Sequence, residues 1–169
     1  MSESSTPGAA APETTAPQYS TGPVALRRPD ILAGLLLVLA GVAAALSLVA
    51  PWVKGSTTTG LDLVRQGFSS PGHLVSTGLW QPLAIVLGGG VLFLIGLLVL
   101  LPARTHRFLG LLALLVTVAI AAGLLVPLAA ATWKVDFFDT GFWLALAVGG
   151  LGLAGSLKAL LTRPRTAPV

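Results

Sequence analysis

The chain has 169 residues, of which 54% are apolar and only 9% are charged, against about 25% charged in a soluble domain. So few charges cannot wet the surface of a globule this size, which excludes a water-soluble fold and makes lipid the solvent for most of the chain. The ten basic residues give a net charge of +4, but they gather at the ends of apolar runs and form no stripe interleaved with aromatics, which argues against nucleic acid as a partner.

Residues 1–26 are Ser, Thr, Pro, Ala and Gly with almost no large apolar side chain. Such a segment cannot bury enough surface to offset its chain entropy, so a disordered tail is predicted. Its hydroxyls could accept phosphate, though any solvated linker has this composition. Arg27 and Arg28 precede an uncharged run over 31–53, whose 23 residues make a helix of roughly 34 Å, enough for a ~30 Å hydrocarbon core. A cleaved leader is the rival reading of this run. The long polar segment before it, its length, and Pro51 directly after Ala50 all weigh against cleavage.

The connection 54–79 is the largest segment outside the apolar runs. In it Leu61, Val64 and Phe68 fall at i, i+3 and i+7, with Asp62, Arg65 and Gln66 off that face. The spacing predicts a short helix lying in the membrane interface, limited in length by Gly60 and Gly67. Leu61, Val64, Arg65 and Phe68 are the candidate contact surface for a partner, because exposed loops carry such contacts more often than buried elements do.

Three further spans are predicted at 80–101, 108–132 and 141–161, with Lys158 as the one charge inside them, near enough to the last helix end to snorkel to the headgroups. The link 102–107 is short, so the second and third spans are antiparallel neighbours. Pro127 should kink the third span or end it about a turn early. The expected architecture is an all-α membrane protein with four transmembrane helices, residues 27–162, followed by a short basic tail at 163–169.

Orientation follows from Lys and Arg. Arg27, Arg28, Arg104, Arg107, Lys158, Arg163 and Arg165 lie on the side of the termini, and only Lys54, Arg65 and Lys134 lie on the other. The positive-inside rule puts both termini in the cytoplasm of a cell-membrane protein. Trp52, Trp80, Trp133 and Trp143 all fall at the opposite ends of the spans, as an outer girdle of interface anchors would.

The two halves look alike. Thr77-Gly78-Leu79-Trp80 opens the second span and Thr140-Gly141-Phe142-Trp143 the fourth, at an offset of 63; Gly34-Leu35-Leu36 and Pro51 match Gly110-Leu111-Leu112 and Pro127 at an offset of 76. Two similar hairpins in parallel orientation would give a pseudo-two-fold axis along the membrane normal. Apolar helices with interface Trp and Pro also converge on such strings without common origin.

No Asp, Glu, His or Arg lies at membrane depth, and the polar residues there are Ser47, Thr117 and Ser156. Intramembrane charges persist where function requires them, so a proton relay, a voltage sensor and an acid–base enzyme are disfavoured, and no catalytic residue, metal site or cofactor is assigned. His73 and His106 fall on opposite sides of the membrane. Asp136 and Asp139 could hold a cation, but two acids without further ligands read as a solvated turn. Gly88-Gly89-Gly90 sits inside an apolar helix, not between a strand and a helix, which rules against a phosphate loop. In the fourth span Gly141, Ala145, Gly149, Gly152 and Ser156 form a stripe of small residues, widened by Gly150 and Ala154; the first offers Gly41 and Ala45, with Ala40, Ala44 and Ser47 alongside. Such stripes let helix backbones approach closely, either within the bundle or against a membrane-protein partner or second copy.

Pro51-Trp52-Val53-Lys54-Gly55, followed by a polar loop and Gly60-Leu61-Asp62-Leu63, resembles small four-helix membrane proteins of high-GC bacteria, the tryptophan-associated membrane proteins among them. The order Trp52, Gly78-Leu79-Trp80 is also similar to the first outer loop of claudin-like proteins, without their cysteine pair. Neither resemblance implies a catalytic residue. The expected role is a non-enzymatic accessory or scaffold subunit of a cell-envelope membrane complex; the alternative is a small homo-oligomeric transporter or lipid-handling protein.

Overall fold

The computed structural model describes residues 30–101 and 106–162. The segment 1–26 with its expected disorder, the Arg27–Arg28 pair, Arg104 and the tail 163–169 lie outside the described residues. The rest is helical: α1 (Ile31–Val49), α2 (Gly60–Ser69), α3 (Trp80–Leu100), α4 (His106–Ala130) and α5 (Thr140–Leu161), with short 3-10 turns at Pro71–His73 and Val135–Phe137. The four long helices are each long and apolar enough to cross a bilayer. The chain is an all-α, four-helix membrane protein.

The long helices form a ring in which α1 packs on α3, α3 on α4, α4 on α5 and α5 back on α1, while α3 and α5 touch only lightly across the diagonal. One end carries the α1–α3 and α4–α5 connections and is closed by them; we call it the capped end. Large apolar side chains such as Leu39, Leu46, Leu94, Leu115 and Leu153 face outward along the spans, as lipid-facing positions must.

Water does not drive helices together inside a bilayer, so the ring must be held by close packing. Between α1 and α3 the seam is made of glycines seven residues apart on each helix, Gly34 and Gly41 against Gly96 and Gly89. A Cβ added at Gly96 would come within 2.8 Å of the Val38 amide nitrogen and 2.9 Å of the Gly34 carbonyl; one added at Gly89 would strike the Ala44 side chain. Between α4 and α5 the corresponding contacts are Gly110 against Ala159 and Thr117 against Gly152. The offsets of 76 and 63 seen in the sequence carry Gly34–Gly96 onto Gly110–Ala159 and Gly41–Gly89 onto Thr117–Gly152. At the capped end Gly78 has φ +72°, which glycine alone adopts freely, and Gly141 is needed because the Trp52 ring lies against it.

The helix ends depart from expectation at two places. α1 stops at Val49, not at residue 53, because Pro51 cannot continue it and Pro51 and Val53 instead make β-bridges to Thr59 and Phe138. α4 does not end before Pro127 but runs on to Ala130. It is terminated by two successive residues in the left-handed region, Thr132 (φ 52°) and Trp133 (φ 62°), with the Trp133 amide donating to the Leu128 carbonyl at 3.0 Å.

At the opposite end Asp30 caps α1, accepting from the Ala33 amide at 3.2 Å, and reaches across to α5: Lys158 Nζ lies 3.5 Å from its Oδ2, and the Thr162 hydroxyl donates to the same oxygen. Lys158 thus reaches toward the end of its helix and meets a carboxylate that joins the first spanning helix to the last.

Candidate functional site: a cavity beneath the loop cap

The cap is built around Trp52. Its indole is only 6% exposed, and Nε1 donates to the Ser47 carbonyl at 2.9 Å, covering an acceptor that the end of α1 leaves free. Two glycines make room for the ring: Gly60, where a Cβ would come within 2.7 Å of Trp52 Nε1, and Gly141. The two connections are then stitched backbone to backbone, Asp139 N to Trp52 O at 3.0 Å, Gly141 N to Pro51 O at 2.8 Å and Lys54 N to Phe137 O at 3.1 Å. Trp52 is therefore a buried keystone of the cap and not an interface anchor, which corrects the four-tryptophan girdle. Trp133 and Trp143 are 64% and 49% exposed, and Trp80 is half-buried.

Helix α2 forms as predicted but turned about its axis. A capping box starts it, with Thr59 Oγ1 accepting from the Asp62 amide and Asp62 Oδ2 accepting from the Thr59 amide at 3.0 Å. Gly60, Val64 and Gly67 face the bundle, with Gly67 seated on Leu83 and Leu74, while Leu61 is half-buried and Arg65 and Phe68 point away. The glycines read as helix limits are the contact surface, because only they let α2 lie this close to α1 and α3. Of the candidate partner residues, Val64 is consumed by the fold, and Arg65 and Phe68 remain available, Phe68 at 64% exposure.

Beneath the cap lies a partly enclosed cavity of ≈ 610 Å³. Its walls come from several elements at this end: Leu63 of α2, Leu79 and Pro82 at the start of α3, Pro127, Ala130 and Ala131 at the end of α4, and Phe142 of α5, with Phe137 and Phe138 from the last connection. Phe138 and Phe142 stack at 3.9 Å between ring centroids and make one firm wall. Thr77, Gln81 and Lys134 are its polar side chains, and Lys134 is its single charge. Just below, α3 and α4 close up where a Cβ added to Gly123 would meet the Gln81 carbonyl at 3.2 Å. No direct sign of this cavity is legible in the residue pattern. Its makers are two prolines and a phenylalanine cluster spread over 60 residues, brought together only by the ring.

The rest of the predicted packing stripe divides. Gly141, Ala145, Gly152 and Ser156 are buried, and Gly149 is half-buried against Leu124. Gly41 is buried on Phe93, but Ala45 points outward, because the face of α1 that packs runs through Gly34, Leu37, Gly41 and Ala44. Gly155, outside the predicted stripe, seats Leu36 and Leu37 of α1. The stripe therefore packs inside the bundle on two neighbours at once.

The three hydroxyls deep in the spans are buried and satisfied within their own helix: Ser47 donates to Ala44 O at 2.7 Å, Thr117 to Ala113 O at 2.8 Å and Ser156 to Leu153 O at 3.0 Å. Asp139 is the N-cap of α5, accepting from the Thr140 amide at 2.6 Å. Among the described residues no group of three His, Asp or Glu side chains is placed to hold a metal ion. Comparison with known proteins finds no match to any family, curated protein or solved structure.

Proposed function

We propose that the chain is a non-enzymatic accessory or scaffold subunit of a membrane complex in the cell envelope, seated in the plasma membrane with both termini in the cytoplasm. The observation that supports this reading is the chemical silence of the spans. Their ionisable residues, His106, Arg107 and Lys158, stand in terminal turns, and the three buried hydroxyls are occupied by carbonyls of their own helices. A proton path, an ion path or an acid–base site needs polar groups free to face a ligand or water at depth. The excess of Lys and Arg on the side of the termini supports the orientation. Exposed Arg65 and Phe68 on α2 offer a partner one charged and one aromatic contact above the bilayer.

Native mass spectrometry of the tagged chain, extracted gently from its own membranes, tests the reading. A defined heteromeric complex is the expected result and names the partner. A bare homo-oligomer would overturn it in favour of a small transporter.

A further inference from the structure

We propose that the cavity beneath the cap is a binding site for a long-chain carboxylate, a single-chain fatty acid whose head is held at Lys134 and whose tail lies against Pro82, Pro127, Phe138 and Phe142. The site stands apart from the role proposed above, since a subunit of a complex and a free-standing protein can equally hold a lipid.

The size suits a small amphiphile: ≈ 610 Å³ falls within the ~300–1,000 Å³ of ordinary ligand pockets. The lining is also mostly apolar, an aromatic and proline wall broken by only three polar side chains. The position agrees, because the cavity lies where the ends of α3 and α4 meet the extramembranous connections, at the depth where a molecule with one wet end and one oily end settles.

Charge decides the head. Lys134 is the one charged residue of the lining, no Asp or Glu contributes to it, and Lys134 makes no ion pair among the described residues. A single cation in a lining that also holds the Gln81 amide matches a single negative charge that accepts several hydrogen bonds, as a carboxylate does. The turn through Thr132 and Trp133 that ends α4 carries the chain around to Lys134 at the cavity. The walls are fixed in advance by the Phe138–Phe142 stack and by two proline rings, so little ordering remains for the ligand to impose.

The test uses the full chain in nanodiscs of neutral phosphatidylcholine, with radiolabelled palmitate as probe and hexadecanol and lysophosphatidylcholine as competitors. Saturable palmitate binding is expected, displaced poorly by either competitor. Lys134→Gln should weaken it roughly tenfold or more, the loss of one charge-assisted hydrogen bond, with Lys134→Arg retaining most of it. Ala131→Phe, which fills the cavity, should abolish binding; a melting curve close to that of the parent separates this from misfolding, and Lys134→Gln at an exposed position covers the case where it misfolds. Absence of saturable binding, equal affinity in Lys134→Gln, or displacement by hexadecanol or lysophosphatidylcholine as effective as by palmitate itself would each overturn the proposal.

Discussion

Gly41 of α1 and the Gly89 carbonyl of α3 face each other so closely that a Cβ on Gly41 would lie 3.0 Å from that oxygen and would run into Phe93. The next residue along α3, Gly90, has nothing within 4 Å of the place where its Cβ would stand. Neighbouring glycines of one helix thus have opposite roles. Gly89→Ala should destabilise the bundle by roughly 1–3 kcal/mol, the usual cost of overpacking, while Gly90→Ala should leave stability unchanged or slightly raised, since alanine is the better helix former. Thermal unfolding in mild detergent separates the two, and equal melting points would refute the seam.

Replacement of the tryptophans should divide them by burial and not by depth. Trp52→Phe loses the bond to the Ser47 carbonyl, worth about 0.5–1.5 kcal/mol, and Trp52→Ala empties the cap at a cost of about 3–5 kcal/mol. Trp133→Ala, on an exposed ring, should stay within about 0.5 kcal/mol of the parent. A uniform response of the two residues in the same detergent melt would restore the girdle reading.

The Asp30 clasp makes stability depend on acid. Burial pushes the Asp30 carboxyl up, but hydrogen bonds from Thr162 and the Ala33 amide, with the Lys158 charge, outweigh this and hold it below the ordinary carboxylate value. A folded-state value lower than the unfolded one contributes stability that is complete above the ordinary carboxylate range and is lost as pH falls through the lowered value. Asp62 is held down in the same sense by the Thr59 hydroxyl and amide. The melting temperature should therefore fall on acidification through that range. Asp30→Asn should flatten the fall in part and the double variant with Asp62→Asn should flatten it further. An unaltered acid limb in the double variant would show that neither carboxylate acts in this way.

Orientation can be read directly because the chain has no cysteine. A membrane-impermeant maleimide applied to intact cells should label Thr57→Cys, in the exposed stretch after Trp52, and should not reach Ser4→Cys until the membrane is opened. The reverse pattern would invert the proposed topology.

The four spans were legible because a bilayer demands about 20 consecutive apolar residues, a requirement that composition alone reveals. Their mutual packing was legible only in part. The stripe of α5 is visible in its spacing, and of the α1 residues singled out, Gly41, Ala40, Ala44 and Ser47 are buried, while Ala45 is exposed and the packing role of Gly34 goes unseen: on a helix that is apolar all round, periodicity has no polar face to phase it. The Asp30 cap directly before Ile31 and the Thr59-x-x-Asp62 box, neither of them singled out above, were open to view as short-range patterns. The pairing of Asp30 with Lys158 was not, since 128 positions separate them. Trp52 was misplaced for a related reason. Interface tryptophan and buried tryptophan look the same in sequence, and what decides between them is whether glycines elsewhere, here Gly60 and Gly141, vacate the volume of the ring.

The stitching of the two connections has a consequence for the order of events at synthesis. Trp52 and the Pro51 carbonyl are translated long before Asp139 and Gly141, on which they close. An emerging chain that has threaded α1 and α3 therefore carries a lid whose counterpart is still unmade: the Trp52 ring already has Ser47 and Gly60, but the Pro51 and Trp52 carbonyls await the amides of Gly141 and Asp139. Only when α5 arrives does the lid find its last contacts, and at the other end the same helix brings Lys158 and Thr162 to the waiting Asp30. The final helix thus acts as a clasp at both of its ends, and a chain arrested before it lacks the contacts that close each end of the bundle.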